Sequence, residues 1–191
     1  NHGVRIGGTD FDRAINIDRV MPLLGKGTEL RKVIGPGASP VPNAIFNDLA
    51  TWEKIPFVYT AKNRRMVEEM GRLAYEPEKL NRLATVLEDE LGHELAFAVE
   101  RGKIAANSGD KQSLIALNQI ERNLTAPLPI KALATILASH AKTLRTGAQE
   151  TLQLSGLDTA QVDRVIYVGG SSLMSLVSDT MREQFPTARH S

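Results

Sequence analysis

The sequence predicts an α/β fold in which a small sheet layer is interrupted by a large, mostly helical insertion. Two observations predict it. Short β-type runs end in glycine pairs and feed helix patterns near both ends of the chain, at 4–8 and 165–170. Between them apolar residues recur mostly at helical spacing, above all Leu80, Leu83, Leu87, Leu91 and Leu95. The expected division is a core piece at 1–24, an inserted helical part at 25–124 and a second core piece at 125–191, with only a partial sheet. No internal repeat is evident.

In chain order, Val4-Arg5-Ile6 is read as a strand end broken by Gly7-Gly8. Thr9 suits an N-cap, and Asp10 and Asp12 suit the positive first turn of a helix reaching about Leu24. Gly25 to Pro42, with Pro36, Pro40 and Pro42, is expected to be a loop or a poorly ordered insertion. Short helices follow around Ile45, Leu49, Trp52, Met66 and Met70. Pro77 fits the first turn of one long helix continuing to about Asn107, where Ser108-Gly109-Asp110 stops it. Leu114–Leu117 is read as a strand. Pro127 and Pro129 open another long helix ending at a Gly156 cap. Val165-Ile166-Tyr167-Val168 is read as a short buried strand, and 169–172 turns it into a last helix that ends at Pro186.

Composition narrows the function classes. The 191 residues are 42% hydrophobic and 24% charged, as in ordinary globular chains. A formal net charge of +1 and 5% aromatics offer no case for a nucleic-acid partner, and the charge none for a membrane surface. There is no cysteine, which excludes disulfides, thiolate metal sites and thiol catalysis within this chain. No apolar run approaches the roughly 20 residues a membrane helix needs. The start, Asn1-His2-Gly3, carries neither an initiator Met nor a signal-peptide pattern. The expectation is a cytoplasmic piece of something longer, without a membrane partner.

The chemistry is expected at the glycine pairs. A strand ending in Gly-Gly and feeding a helix offers backbone N–H groups at the positive end of the helix dipole, with no Cβ to keep a ligand away. Ser171 and Ser172 add hydroxyls suited to a sugar or phosphate. Neither pair forms a phosphate loop or a dinucleotide fingerprint, and such turns also take glycine for steric reasons. Glu100, Lys103, Ile104 and Asn107 share one helix face by their three- and four-residue steps, and a carboxylate beside an ammonium suits ribose hydroxyls. The bland alternative is a solvated Glu–Lys pair. His93, even with Glu90 and Glu94 nearby, and His140 lack metal-ligand spacing, and His190 lies near a fraying end. Ser171 sits in no nucleophile elbow. The Lys62, Arg64 and Arg65 cluster is read as a solvated face. No catalytic or metal-binding residue is assigned.

Three strings in order resemble one family. Ile6-Gly7-Gly8-Thr9-Asp10-Phe11-Asp12, Glu100-Arg101-Gly102-Lys103 near a helix end, and Val168-Gly169-Gly170-Ser171-Ser172 are similar to segments of DnaK-type heat-shock chaperones, members of the actin-like ATPase superfamily. The likeness is greatest to divergent bacterial, chaperone-like members. It implies a ribonuclease H-like fold and a chain covering most of the second lobe, with 25–124 as its helical subdomain. It further implies ATP or ADP as ligand. Gly169, Gly170 and Ser171 would lie beneath adenine and ribose, Glu100, Lys103 and Asn107 would be contacts from the long helix, and Gly7 and Gly8 would line the cleft floor.

The family places arginines where this chain has Ile104 and Leu173, and proline where it has Ser175. Without the arginines a stacking contribution of about 1–2 kcal/mol is missing, so adenine binding is expected to be weak or absent in this chain. The family's phosphate loops and its Lys–Glu–Asp set for Mg²⁺ and water are not found. Mg²⁺ is therefore expected only with the other lobe, and the chain is not expected to hydrolyse ATP. Client polypeptides or co-chaperones are the implied partners of the full-length protein. Two alternatives stand: an interaction module with a decayed nucleotide site that uses 25–76, and a lobe of a metabolite kinase of the same superfamily.

Overall fold

The computed structural model describes residues 2–191 and has an α/β fold, helices accompanied by three two-stranded sheets. Contacts divide the chain into two units. One runs up to Phe11 and resumes over Lys131–Ser191, and the other is Asp12–Ile130.

Residues 4–6 are not a strand, and the first helix, α1, spans Gly8–Ile15. Its cap is Asp10 rather than Thr9: the Gly7 N–H donates to Asp10 Oδ2 at 2.8 Å. Helical winding continues to Leu24 as foreseen, but as a π turn at Asn16–Val20 and a 3-10 turn at Met21–Leu24. Gly25 ends it at φ 106°, where a Cβ would come 2.6 Å from Leu80 Cδ2.

The expected loop at 25–42 contains a hairpin. Strand β1 (Glu29–Arg31) pairs antiparallel with β2 (Ala38–Pro40), Leu30 opposite Ser39. The turn between them needs Gly35 and Gly37, both at positive φ. Helix α2 (Ala44–Leu49), a 3-10 turn (Trp52–Phe57) and α3 (Ala61–Leu73) follow. Thr60 caps α3 by accepting from the Asn63 N–H at 3.1 Å.

The single helix expected from 77 to 107 is two. Helix α4 spans Pro77–Glu88 and α5 spans Gly92–Asn107. Glu90 between them is left-handed at φ 55°. Tyr59 holds the corner, its hydroxyl donating to the Glu90 carbonyl (3.1 Å) and accepting from the Gly92 N–H (2.9 Å). The leucine stripe crosses the break because both helices pack into the same core: Leu80, Leu83, Leu87 and Leu95 are fully buried, with Phe46 and Ile55. Strands β3 (Leu114–Ala116) and β4 (Thr125–Pro127) form a second hairpin, with β3 against α5. Pro127 thus ends a strand rather than opening a helix.

The other unit is thinner. Helices α6 (Ile130–Ile136) and α7 (Ala138–Ser155) lead to the Gly156 cap at φ 68°. Strand β5 (Arg164–Val165) pairs in parallel with β6 (Arg189–His190), and α8 (Ser175–Gln184) packs on α7. Phe11, Leu133, Leu137, Met174 and Phe185 are its buried apolar side chains among the described residues. The run expected as a buried strand is short and open, since Ile166 and Val168 face solvent. Nor is His190 at a fraying end. Its Nε2–H donates to the Phe185 carbonyl (3.0 Å), which leaves Nδ1 to accept from the Tyr167 hydroxyl (2.7 Å).

Candidate functional site

The turn after β5 is the most open backbone among the expected contacts. Val168, 82% exposed, precedes Gly169 at φ 83°. A 3-10 turn over Gly170–Leu173 then feeds α8. Among the described residues, no atom beyond the adjoining residues lies within 4 Å of where a Cβ on Gly169 or Gly170 would sit. The Ser172 hydroxyl and N–H both donate to the Gly169 carbonyl, at 2.6 and 3.2 Å, and so hold the turn itself. Ser171 is half-buried and Leu173 exposed. The turn lies at the carboxyl end of a parallel strand and opens onto a helix, the position at which α/β sheets meet ligands.

The first glycine pair differs. The Asp10 carboxylate already occupies the amide end of α1 through the Gly7 N–H. The Gly7 carbonyl accepts from the Asp10 and Phe11 N–H groups at 3.1 and 3.4 Å. An anion approaching Gly7 and Gly8 meets a carboxylate where a dipole-steered ligand needs open N–H groups.

Helix α5 carries the remaining expected contacts, and they do not share one environment. Glu100 and Ile104 are exposed, while Asn107 is half-buried and engaged within the chain. Lys103 is only 7% exposed, its Nζ 2.8 Å from Asp12 Oδ1. The helical period explains the split: residue 103 falls between the buried Val99 and Ala106 and so turns inward with them. Burial pushes the Asp12 carboxyl above the usual carboxylate value, opposed by Lys103 and reinforced by the charge of Glu100. Sequence reasoning placed Asp12 in the first turn of its helix and in the first family-like string, not against Lys103. The signal for its real role was thin: Asp12 directly follows Phe11 of the apolar stripe.

Glu100, Lys103, Ile104 and Asn107 belong to one unit, and Gly7, Gly8, Gly169, Gly170, Ser171 and Leu173 to the other. No protein-family model and no solved structure matches the chain.

Other features have internal partners. His93 packs its ring edge-on against Trp52, centroids 4.8 Å apart. No group of three or more His, Asp or Glu placed to hold a metal ion occurs among the described residues. A groove of about 360 Å³ between α3 and α4 is lined by Arg64, Arg65, Glu68, Arg72 and Glu88. Arg64 donates there to the Leu87 carbonyl and Arg72 pairs with Glu68, which leaves Arg65 as the lining guanidinium without an ion pair among the described residues. No helix among the described residues is long and apolar enough to cross a membrane.

Proposed function

We propose that the chain is a nucleotide-binding lobe of a DnaK-type, chaperone-like cytoplasmic ATPase with the actin-like fold. The Gly169–Ser171 turn meets the adenosine end of ATP or ADP. The observation that carries this reading is the open backbone after β5. With nothing within 4 Å of the Cβ positions of Gly169 and Gly170, a flat ring can lie directly on the main chain. The resemblance of three ordered strings supplies the nucleotide. Binding is weak, because Leu173, beside the turn, brings no guanidinium to the base. Client polypeptides or co-chaperones would be met by the full-length protein.

Amide NMR during an ADP titration tests the site. Gly169, Gly170 and Ser171 resonances are expected to move along a saturable millimolar curve, with Gly170→Val abolishing the movement and Gly7→Ala sparing it. An ADP series that leaves those amides in place, together with unchanged ATP turnover on Gly170→Val in the full-length protein, would sink the assignment. The interaction-module reading is favoured by one observation, the exposure of Val33 and Ile34 at the β1–β2 turn. Deleting 26–41 would then abolish partner capture and spare ADP binding.

A further inference from the structure

Among the exposed side chains of the Asp12–Ile130 unit is an aromatic cluster that the nucleotide reading does not use. Trp52 lies edge-on to His93 and Phe97, with ring centroids 4.8 and 5.5 Å apart. Trp52 is nevertheless 40% exposed and Phe97 48% exposed. The support beneath is rigid. A Cβ on Gly92 would come 2.6 Å from both Ile55 Cγ2 and the Tyr59 hydroxyl, so the 3-10 turn bearing Trp52 is pressed against the start of α5. A preorganised aromatic platform held half out of water is the form in which proteins present binding hot spots.

The charges around it select the occupant. Glu53 adjoins Trp52, and Glu94 and Glu100 flank Phe97 three residues to either side. All three are exposed, and none is in an ion pair among the described residues. Arg101 is the one Lys or Arg within a turn of Phe97 on this helix. Carboxylates around an aromatic surface repel nucleic acid and anionic membranes. They attract a segment that brings apolar side chains for the rings and Lys or Arg for the rim, with a cation able to lie over the indole.

We propose that the Trp52–His93–Phe97 platform docks a basic, amphipathic polypeptide segment of a partner protein. Trp52 is the only tryptophan in the chain, so its emission reads the site directly. The whole chain would be titrated with a short Leu/Lys peptide and with the same peptide carrying Glu for Lys. The Lys peptide is expected to shift Trp52 emission saturably and to weaken with added salt. The Glu peptide should bind at least about tenfold less tightly, a difference of about 1.4 kcal/mol. Phe97→Ser should lose a similar factor while circular dichroism confirms the fold. Glu94→Gln/Glu100→Gln, on exposed positions and with circular dichroism again checking the fold, should erase the preference for Lys over Glu. Equal binding of the two peptides, or binding that survives both variants, overturns the proposal. So does emission that follows protein concentration alone with a dimer in sedimentation, which would make the occupant a second copy of this chain.

Discussion

Gly102 and Gly170 carry the same side chain for opposite reasons. On α5, a Cβ at Gly102 would lie 2.8 Å from Ile115 Cγ1 and 3.2 Å from the Leu114 carbonyl oxygen, so helix and hairpin touch backbone to backbone. At the turn before α8, a Cβ at Gly170 would meet nothing within 4 Å. Packing accounts fully for the first glycine. It gives no reason for the second, and a small residue without an internal neighbour is what a backbone site for a ligand requires. The contrast also separates two kinds of stability. The tight region sits in the larger core, whereas the open one leaves Ile166, Val168 and Leu173 in solvent.

The sharpest way to break that contrast is to put the same side chain at both glycines. Gly102→Val is expected to cost about 3 kcal/mol in urea unfolding, from overpacking against Ile115 and Leu114. Gly170→Val should stay within about 0.5 kcal/mol of the parent. Equal costs would show that the two turns are packed alike.

The next largest effect tests the charge beside Gly102. Lys103→Met leaves the Asp12 carboxylate half-buried without its cation and should cost about 2 kcal/mol at neutral pH, below the full range for buried pairs because Asp12 retains some solvent. Asp12→Asn/Lys103→Met should recover much of it. Because the folded carboxyl lies above the unfolded value of 3.8, the folded state binds more protons over that interval. The associated stability is present below 3.8 and is lost as pH rises through the folded pKa. The loss in Lys103→Met should therefore shrink on acidification towards 3.8. A loss independent of pH would show that the lysine stem, not its charge, supports Asp12.

Gly169→Ala probes the neighbouring glycine. It keeps the turn open but opposes φ 83°, and should lower stability by about 1 kcal/mol. Restricted backbone freedom would then distinguish Gly169 from Gly170, which no steric contact among the described residues requires to be glycine.

What the chain discloses about itself follows the range of the interactions involved. Pro77, Gly109 and Gly156 mark helix ends correctly because caps are set within a few residues. Leu114-Ile115-Ala116 is legible as a strand by its composition. The β1–β2 hairpin is hidden by its glycines and prolines, which read as a loop until Leu30 finds Ser39. Val165–Val168 has the composition of a buried strand, but composition does not say what covers it, and Ile166 and Val168 have no cover. At the candidate site the open glycine turn is visible in the sequence as Gly-Gly. The engagement of Lys103 by Asp12 is not, since nothing local ties α1 to α5.

The corner at Glu90 has a consequence in time. Local spacing carries α4 straight into α5, and side chains from upstream help to hold the break: Tyr59 bonds the Glu90 carbonyl and the Gly92 amide, and Arg64 donates to the Leu87 carbonyl and pairs with Glu90. The local bond from the Leu91 N–H to the Val86 carbonyl begins the break, and the corner is expected to be complete only once the upstream segment docks. Tyr59→Phe is expected to speed unfolding severalfold in stopped-flow experiments and leave the folding rate nearly unchanged. A matching drop in the folding rate would place the corner in the nucleus instead. On the expected outcome, the bend that separates two helices in the native protein is among the last features the chain acquires and the first it gives up.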